Sequence, residues 1–222
     1  MHVEKREFVV PGQLIAEGED YVLGDGVFRD GEQIRSSQMG LADKHDNKIR
    51  TIPLEGRYIP KEGDRVLGTV IDDYYAGWLL DIDAPYEGNL PVSSYKGGAR
   101  DKDDLDVELN NGDLVEAKVR DVDELMNIQL EVTDRQRGKI RGGRMVEISP
   151  SKVPRVIGRR GSMVSTLQTE GDCNLSIGQN GRIVIWGDDD DVRRVVEAIY
   201  KIEKEAHTSG LTDRIKEFLQ KN

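Results

Sequence analysis

The chain has 222 residues, a formal net charge of −10, 33% charged residues and only 5% aromatic residues. That length suits two or three small domains, each with a modest core. No run of about 18 apolar residues is present to span a membrane, and the single cysteine, Cys173, cannot form an internal disulfide.

His2, His45 and His207 are scattered and have no cysteine partners at metal spacing, so neither a metal site nor a cofactor is expected. The first residues, MHVEKREFVVPG, carry charges where a secretory signal needs an apolar stretch, which predicts a cytoplasmic protein. An acidic chain is a poor default ligand for anything anionic, so the distribution of charge matters more than its sum.

Residues 1–58 read as short strands cut by turns. VVPGQLIA, DYVLGDG, GVFRDGEQIRSS and KIRTIPLEG carry Pro-Gly, Gly-Asp, Asp-Gly and Glu-Gly punctuation, which predicts a compact antiparallel unit. It offers no nucleophile with a base and no defined carboxylate pair. A docking or structural role is the expectation.

Residues 59–140 hold 10 basic and 19 acidic residues, the most acidic third of the chain. Here Val115, Ala117 and Val119 alternate with Glu116, Lys118 and Arg120. Ile128, Leu130 and Val132 alternate with Gln129 and Glu131. Such period-two patterning marks half-buried antiparallel strands, and short strands in this number fit a small closed β-barrel of the OB type. Trp78 heads a further alternation with Leu80 and Ile82 and is read as core. GDRVLGTVIDDYYAGWLLDI, YEGNLPVSSY and LNNGDLVEAKVRDVD resemble the S1 RNA-binding domain, an OB-fold.

That resemblance implies stacking of bases on exposed aromatics within a basic groove. The candidates are Tyr74, Tyr75 and Tyr95, with Lys118 and Arg120 on the strand face and Lys96 and Arg100 in the loop Lys96-Gly97-Gly98-Ala99-Arg100. That loop lines an RNA path or is an exposed turn; both readings stay open. The acidic run DKDDLDVE at 101–108 departs from a basic groove.

Residues 135–160 reverse the sign, with nine basic residues against the single acid Glu147. The window closes on VPRVIGRRGSMV. MVEIS reads as a strand, SKVPRVI as a short helix, and SMVSTLQTEG as a second helix with Val164 and Leu167 on one side. NLSIG and GRIVIWG form a hairpin whose Asn180-Gly181 favours a tight turn. In DDDDVRRVVEAIYKIEKEA, Val192, Val195, Val196, Ile199 and Ile202 form one helical face, and the leading aspartates suit a helix N-terminus rather than a metal. A last helix, LTDRIKEFLQ, places Leu211, Ile215, Phe218 and Leu219 together. The order β-α-α-β-β-α with Gly-x-x-Gly between its first helices resembles a type I KH domain, here spanning 141–222 with an extra C-terminal helix.

The resemblance implies that Val156, Ile157, Gly158, Arg159, Arg160, Gly161 and Ser162 form an RNA-binding loop. Glycines let a sugar-phosphate chain approach closely, and the following helix points its first amides at phosphate. The whole is therefore expected to be multi-domain, mainly β then α+β. VVPG, LGDGVFRDGEQIRSSQMGL, GRYIPKEGDRVLGTV and VIGRRGSM resemble the RNA-binding cap subunit of the archaeal exosome, of the ribosomal-RNA-processing-protein-four type.

Membership of that family implies a subunit without nuclease activity. It would gather single-stranded RNA and guide its 3′ end into the pore of a hexameric RNase PH-like ring. The N-terminal domain would dock on the ring, and other copies, or the zinc-ribbon cap subunit, would complete a three-membered cap. An S1/KH factor of transcription antitermination or translation stays open as a second reading.

Overall fold

The computed structural model describes residues 2–95, 109–132, 138–206, 208 and 210–220. The chain divides into two compact units, 1–56 and 57–222.

In the first unit, β1 (Phe8–Val9), β2 (Leu14–Glu17), β3 (Val22–Leu23), β4 (Val27–Asp30), β5 (Gln33–Ser36), β6 (Gly40–His45) and β7 (Lys48–Pro53) form two small sheets. Their orders are β1-β6-β7-β3 and β2-β5-β4. The Asp30-Gly31 signal does turn β4 back on β5, with Asp30 opposite Gln33.

Two details differ from the sequence reading. The β3–β7 pairing is parallel, so the unit is not purely antiparallel. Strand β6, in the unflagged stretch GLADKH, hides its signal because Asp43 faces inward, 7% exposed, where Arg50 on β7 donates to it at 2.8 and 2.9 Å. The core is small: Val9, Ile15, Ala16, Ile34, Ala42 and Ile49.

The second unit opens with β8 (Arg65–Tyr74), β9 (Gly77–Asp81), β10 (Gly88–Pro91), β11 (Leu114–Val122), β12 (Ile128–Glu131) and β13 (Lys139–Ile140). They follow the order β12-β10-β9-β8-β11-β13, and β12 also pairs with β11, which closes a five-stranded barrel. Closure removes the exposed edges of an open sheet. The seam between β10 and β12 is parallel, with Gly88 opposite Ile128.

The alternations expected from sequence point inward: Val115, Val119, Leu130, Trp78, Leu80 and Ile82 are each fully buried. The Trp78 indole donates to the Leu109 carbonyl at 3.1 Å, so its one polar atom is satisfied inside the barrel.

The KH-like part follows with β14 (Arg144–Glu147), α1 (Val153–Ile157), α2 (Ser162–Gly171), β15 (Asn174–Ile177), β16 (Arg182–Trp186), α3 (Asp189–Lys204) and α4 (Leu211–Gln220). The expected β-α-α-β-β-α order is present, with α4 added. Its sheet runs β14-β16-β15, so β15 is an edge strand. The predicted face of α3 is buried. On α2, the buried positions are Met163, Leu167 and Gly171, each one turn from the next, and Val164 stands at the margin.

Barrel and KH fold are joined through the β15–β16 turn, which the sequence marked only as a tight turn. Asn180 is fully buried there. Its amide donates to the Leu67 and Ile82 carbonyls at 2.9 Å each and accepts from the Leu67 amide at 3.3 Å. Next to it, Arg182 donates to the Asp81 carbonyl at 2.7 Å, to the Asp81 carboxylate at 2.6 Å and to Glu147 at 3.0 Å. The Gln179 amide donates to the Arg65 carbonyl at 2.7 Å, and Ser176 Oγ to Glu116 at 2.6 Å. Polar groups that a lone KH fold would leave in water are thus consumed by the barrel wall.

Candidate nucleic-acid interface

The Gly-Arg-Arg-Gly loop is a single turn between α1 and α2. Gly158 adopts φ +76°, and a β-carbon there would lie 2.5 Å from the Met163 amide nitrogen, so the site admits only glycine. Gly161 adopts φ +79° and leads directly into α2. Between them Arg160 is itself left-handed, at φ 55° and ψ 31°. Arg160 and Gly161 are thus left-handed in succession, after a Gly158 that is extended in ψ at 172°. Arg159 and Arg160 are exposed, and among the described residues neither makes an ion pair. Ser162 is exposed at the first turn of α2.

The loop's apolar flank divides. Ile157 is partly exposed at the loop's edge. Val156 is fully buried in the KH core, so it supports the loop from beneath and does not belong among ligand-contacting residues.

In the barrel, Tyr75 stands 87% exposed in the β8–β9 turn. Tyr74 ends β8 partly exposed, with its hydroxyl donating to Asn89. Tyr95 is a correction. It is 1% exposed and packs edge-on against Trp78, with ring centroids 5.4 Å apart, so it is barrel core and offers no face to a base. Burial also pushes its hydroxyl pKa up, with the Asp113 charge acting the same way.

Lys118 and Arg120 are both exposed on β11. Lys118 sits 3.7 Å from Glu131, which draws on part of its charge. Arg120 is the extra residue of a β-bulge against β12, a device that re-aims a side chain. Lys118 lies opposite Arg65, at the far end of β8 from Tyr74, about 30 Å away along the strand. The structure therefore makes two patches of what the sequence grouped as one groove. Lys96 and Arg100, and Arg135 and Arg137 of the basic window, lie outside the described residues. Sequence reasoning passed over Tyr86 and Leu125, 51% and 81% exposed in barrel loops; the signal was an aromatic or apolar residue inside a turn sequence.

Beside the loop, a cleft of about 910 Å³ opens between KH fold and barrel. Ile157, Val164 and Gln168 line it from α1 and α2, and edge strand β15 forms its floor. Arg65, Glu116, Lys139 and Arg141 come from the barrel and the segment leaving it. Lys139 is held 2.5 Å from Asp113. Burial works to raise the Asp113 carboxyl pKa, but the Asn110 amide and Lys139 outweigh it and keep the group ionised. Among the described residues, no cluster of histidine, cysteine or carboxylate groups is arranged to hold a metal. The Asp189–Asp191 run forms the first turn of α3, where Arg194 pairs with Asp191. Among the described residues, no helix is long and apolar enough to cross a membrane.

Comparison with known proteins bears on the whole arrangement. Residues 6–55 match the family model described as the exosome RNA binding protein RRP4 N-terminal domain. Residues 58–143 match the S1 domain of exosome complex component RRP40, and residues 143–201 match the KH domain. The chain is 44% identical over 222 residues to the exosome complex component Rrp4 of Pyrococcus abyssi, covering 98% of this chain and 83% of that protein.

The chain belongs to the Rrp4 family of exosome complex components.

The Rrp4 of Methanothermus fervidus is 43% identical, covering 99% of this chain and 97% of that protein. The Rrp4 of Methanobrevibacter smithii is 41% identical, covering 97% of this chain and 72% of that protein. A crystal structure described as a candidate exosome complex RNA-binding protein superposes with a TM-score of 0.66 at 38% identity, covering 74% of this chain and 96% of that one. The expected family and the expected three folds are thus both found, with the Rrp4 pattern running through nearly the whole chain.

Proposed function

We propose that this chain is the non-catalytic RNA-binding cap of an exosome, capturing single-stranded RNA and guiding its 3′ end into the pore of a hexameric RNase PH-like ring. The observation that carries the reading is the Gly-Arg-Arg-Gly turn. It presents two outward arginines at the start of a helix, in a chain otherwise acidic and closely similar to Rrp4. Phosphate responds to the local field and to helix N-terminal amides, so the chain's net charge does not forbid binding.

RNA meets this chain at the loop residues Ile157 to Ser162 and, on the barrel, at Tyr74 and Tyr75, with Lys118 and Arg120 as a separate basic patch. The small β unit at the N-terminus carries exposed Phe8, Val22 and Phe28 and docks on the ring. Three cap positions, filled by copies of this chain or by a zinc-ribbon cap subunit, present their basic loops together. Cytoplasmic location follows from that role.

Affinity purification of the tagged full-length chain from its own cells tests the reading. Recovery of phosphorolytic ring subunits together with RNA is the expected result. Recovery of ribosomes or RNA polymerase in their place would overturn it in favour of an S1/KH translation or transcription factor.

A further inference from the structure

One end of the barrel carries apolar side chains that neither its core nor the Gly-Arg-Arg-Gly loop uses. Strands β10 and β12 run parallel with Gly88 opposite Ile128, so the β9–β10 loop (82–87) and the β11–β12 loop (123–127) enter them side by side. Tyr86 is 51% exposed in the first loop and Leu125 is 81% exposed in the second. Met126, next to Leu125, is half-buried.

The backbone that carries the pair is pinned. The Asp123 carboxylate accepts from the Leu125 amide at 2.9 Å, the Asn127 amide at 2.8 Å and the Asn127 side chain at 2.7 Å. In the first loop, Asn180 donates to the Ile82 carbonyl, and the Asp83 amide donates to Asp81 at 3.0 Å. A surface fixed in advance loses less freedom when a partner docks on it.

Charge around the pair has one sign. Asp83, Glu87, Asp121, Asp123 and Glu124 are all exposed, and residues 82–87 and 121–127 contain no lysine, arginine or histidine. Among the described residues, none of the five makes an ion pair. Arg182, whose charge reaches Asp83, is already bound by Asp81 and Glu147. Such a surface repels phosphate, whether of a nucleic acid or of a lipid. Tyr74 and Tyr75 lie beyond the opposite end of β9, about 17 Å away along the strand. Large apolar side chains within a rim of carboxylates match a basic protein segment that brings an apolar side chain of its own.

We propose that this end of the barrel is a docking surface for a lysine- and arginine-rich segment of a partner protein, anchored by an apolar side chain between Tyr86 and Leu125. The inference goes beyond RNA capture. It gives the barrel one end for protein, separate from the end that carries Tyr74 and Tyr75.

The test titrates the isotope-labelled full-length chain with a short lysine- and arginine-rich peptide carrying one central leucine, and follows backbone amide shifts by NMR. Shifts concentrated at 82–87 and 121–127 are expected. The double variant Tyr86→Ser/Leu125→Ser should bind the peptide about tenfold more weakly, as loss of a central anchor does. Glu87→Gln/Glu124→Gln should weaken binding and flatten its salt dependence. Both variants should bind RNA as the unmodified chain does, and thermal melting checks that both are folded.

Equal binding of a peptide with alanine in place of leucine, or equal binding by Tyr86→Ser/Leu125→Ser, would reduce the surface to unspecific charge and overturn the proposal. Shifts of the same amides on adding oligouridine would assign the surface to RNA, overturning the proposal while leaving the proposed function standing. Absence of RNA binding by the unmodified chain would remove the proposed function, whereas leucine-dependent peptide binding would still support this surface.

Discussion

At the scale of single residues, Asn180 and Arg182 carry the junction that gives the cleft its second wall. Asn180→Ala removes three hydrogen bonds, taking this partner from the Leu67 amide and the Ile82 carbonyl, while the Leu67 carbonyl keeps Arg182 at 3.4 Å. The expected cost is about 2–3 kcal/mol, read as a lower denaturant midpoint. Arg182→Ala strands Asp81 and Glu147, but both carboxylates keep contact with water. Its cost is therefore below the full penalty of a broken buried pair, about 2 kcal/mol.

The Asp81 carboxyl also gives a pH dependence. Burial works to raise its pKa, but the Arg182 hydrogen bond, the Asp83 amide and the Arg182 charge outweigh it and hold the group below the usual carboxylate range. A depressed folded-state pKa means that the stabilisation is present at neutral pH and is lost as pH falls through the folded value. Unfolding followed below about pH 4 should show this loss, and Asp81→Asn should flatten it. Because Asp81 is 43% exposed, the effect stays under about 1 kcal/mol.

Secondary-structure elements set where the loop can reach. The α1–α2 corner depends on Gly158 more than on Gly161. A β-carbon at Gly158 collides with the Met163 amide, whereas at Gly161 its nearest neighbour is Val164 at 3.8 Å. Both residues have a positive φ, and at left-handed Gly161 a change to Ala should cost about 1 kcal/mol for φ alone. Gly158→Ala should cost more, and thermal melting separates the two. If the two variants melt alike, the close approach at Gly158 is not what shapes the corner.

Elements were also what the sequence revealed best. The inward sets on β9, β11 and β12, and the buried face of α3, follow directly from period two and period 3.6. What escaped was set by partners distant in sequence. Asn180 looks like any Asn-Gly turn until the barrel closes over it. Tyr95 looks like an exposed aromatic until Trp78 packs on its ring. Val156 reads as part of the loop until the KH core claims it. Strand β6 was hidden by an inward Asp43 whose Arg50 partner lies on the next strand. The cleft itself exists only once two folds adjacent in sequence are brought together.

On the scale of the whole molecule, charge is partitioned. Acidity is concentrated in residues 59–140, while the window from 135 to 160 is strongly basic. A single copy should therefore bind RNA modestly, with affinity in the assembly arising from several loops acting on one strand. Comparison of RNA affinity for the isolated chain and the assembled cap checks this. Equal affinities would remove avidity from the account.

The measurement that tests the central claim most directly is the salt dependence of single-stranded RNA binding by the unmodified chain and by Arg159→Ala/Arg160→Ala. If both arginines contact phosphate, the variant binds more weakly, and its log–log salt slope is shallower by about 1.4, with thermal stability unchanged. An identical affinity and slope would contradict the account and reduce the Gly-Arg-Arg-Gly loop to a structural corner.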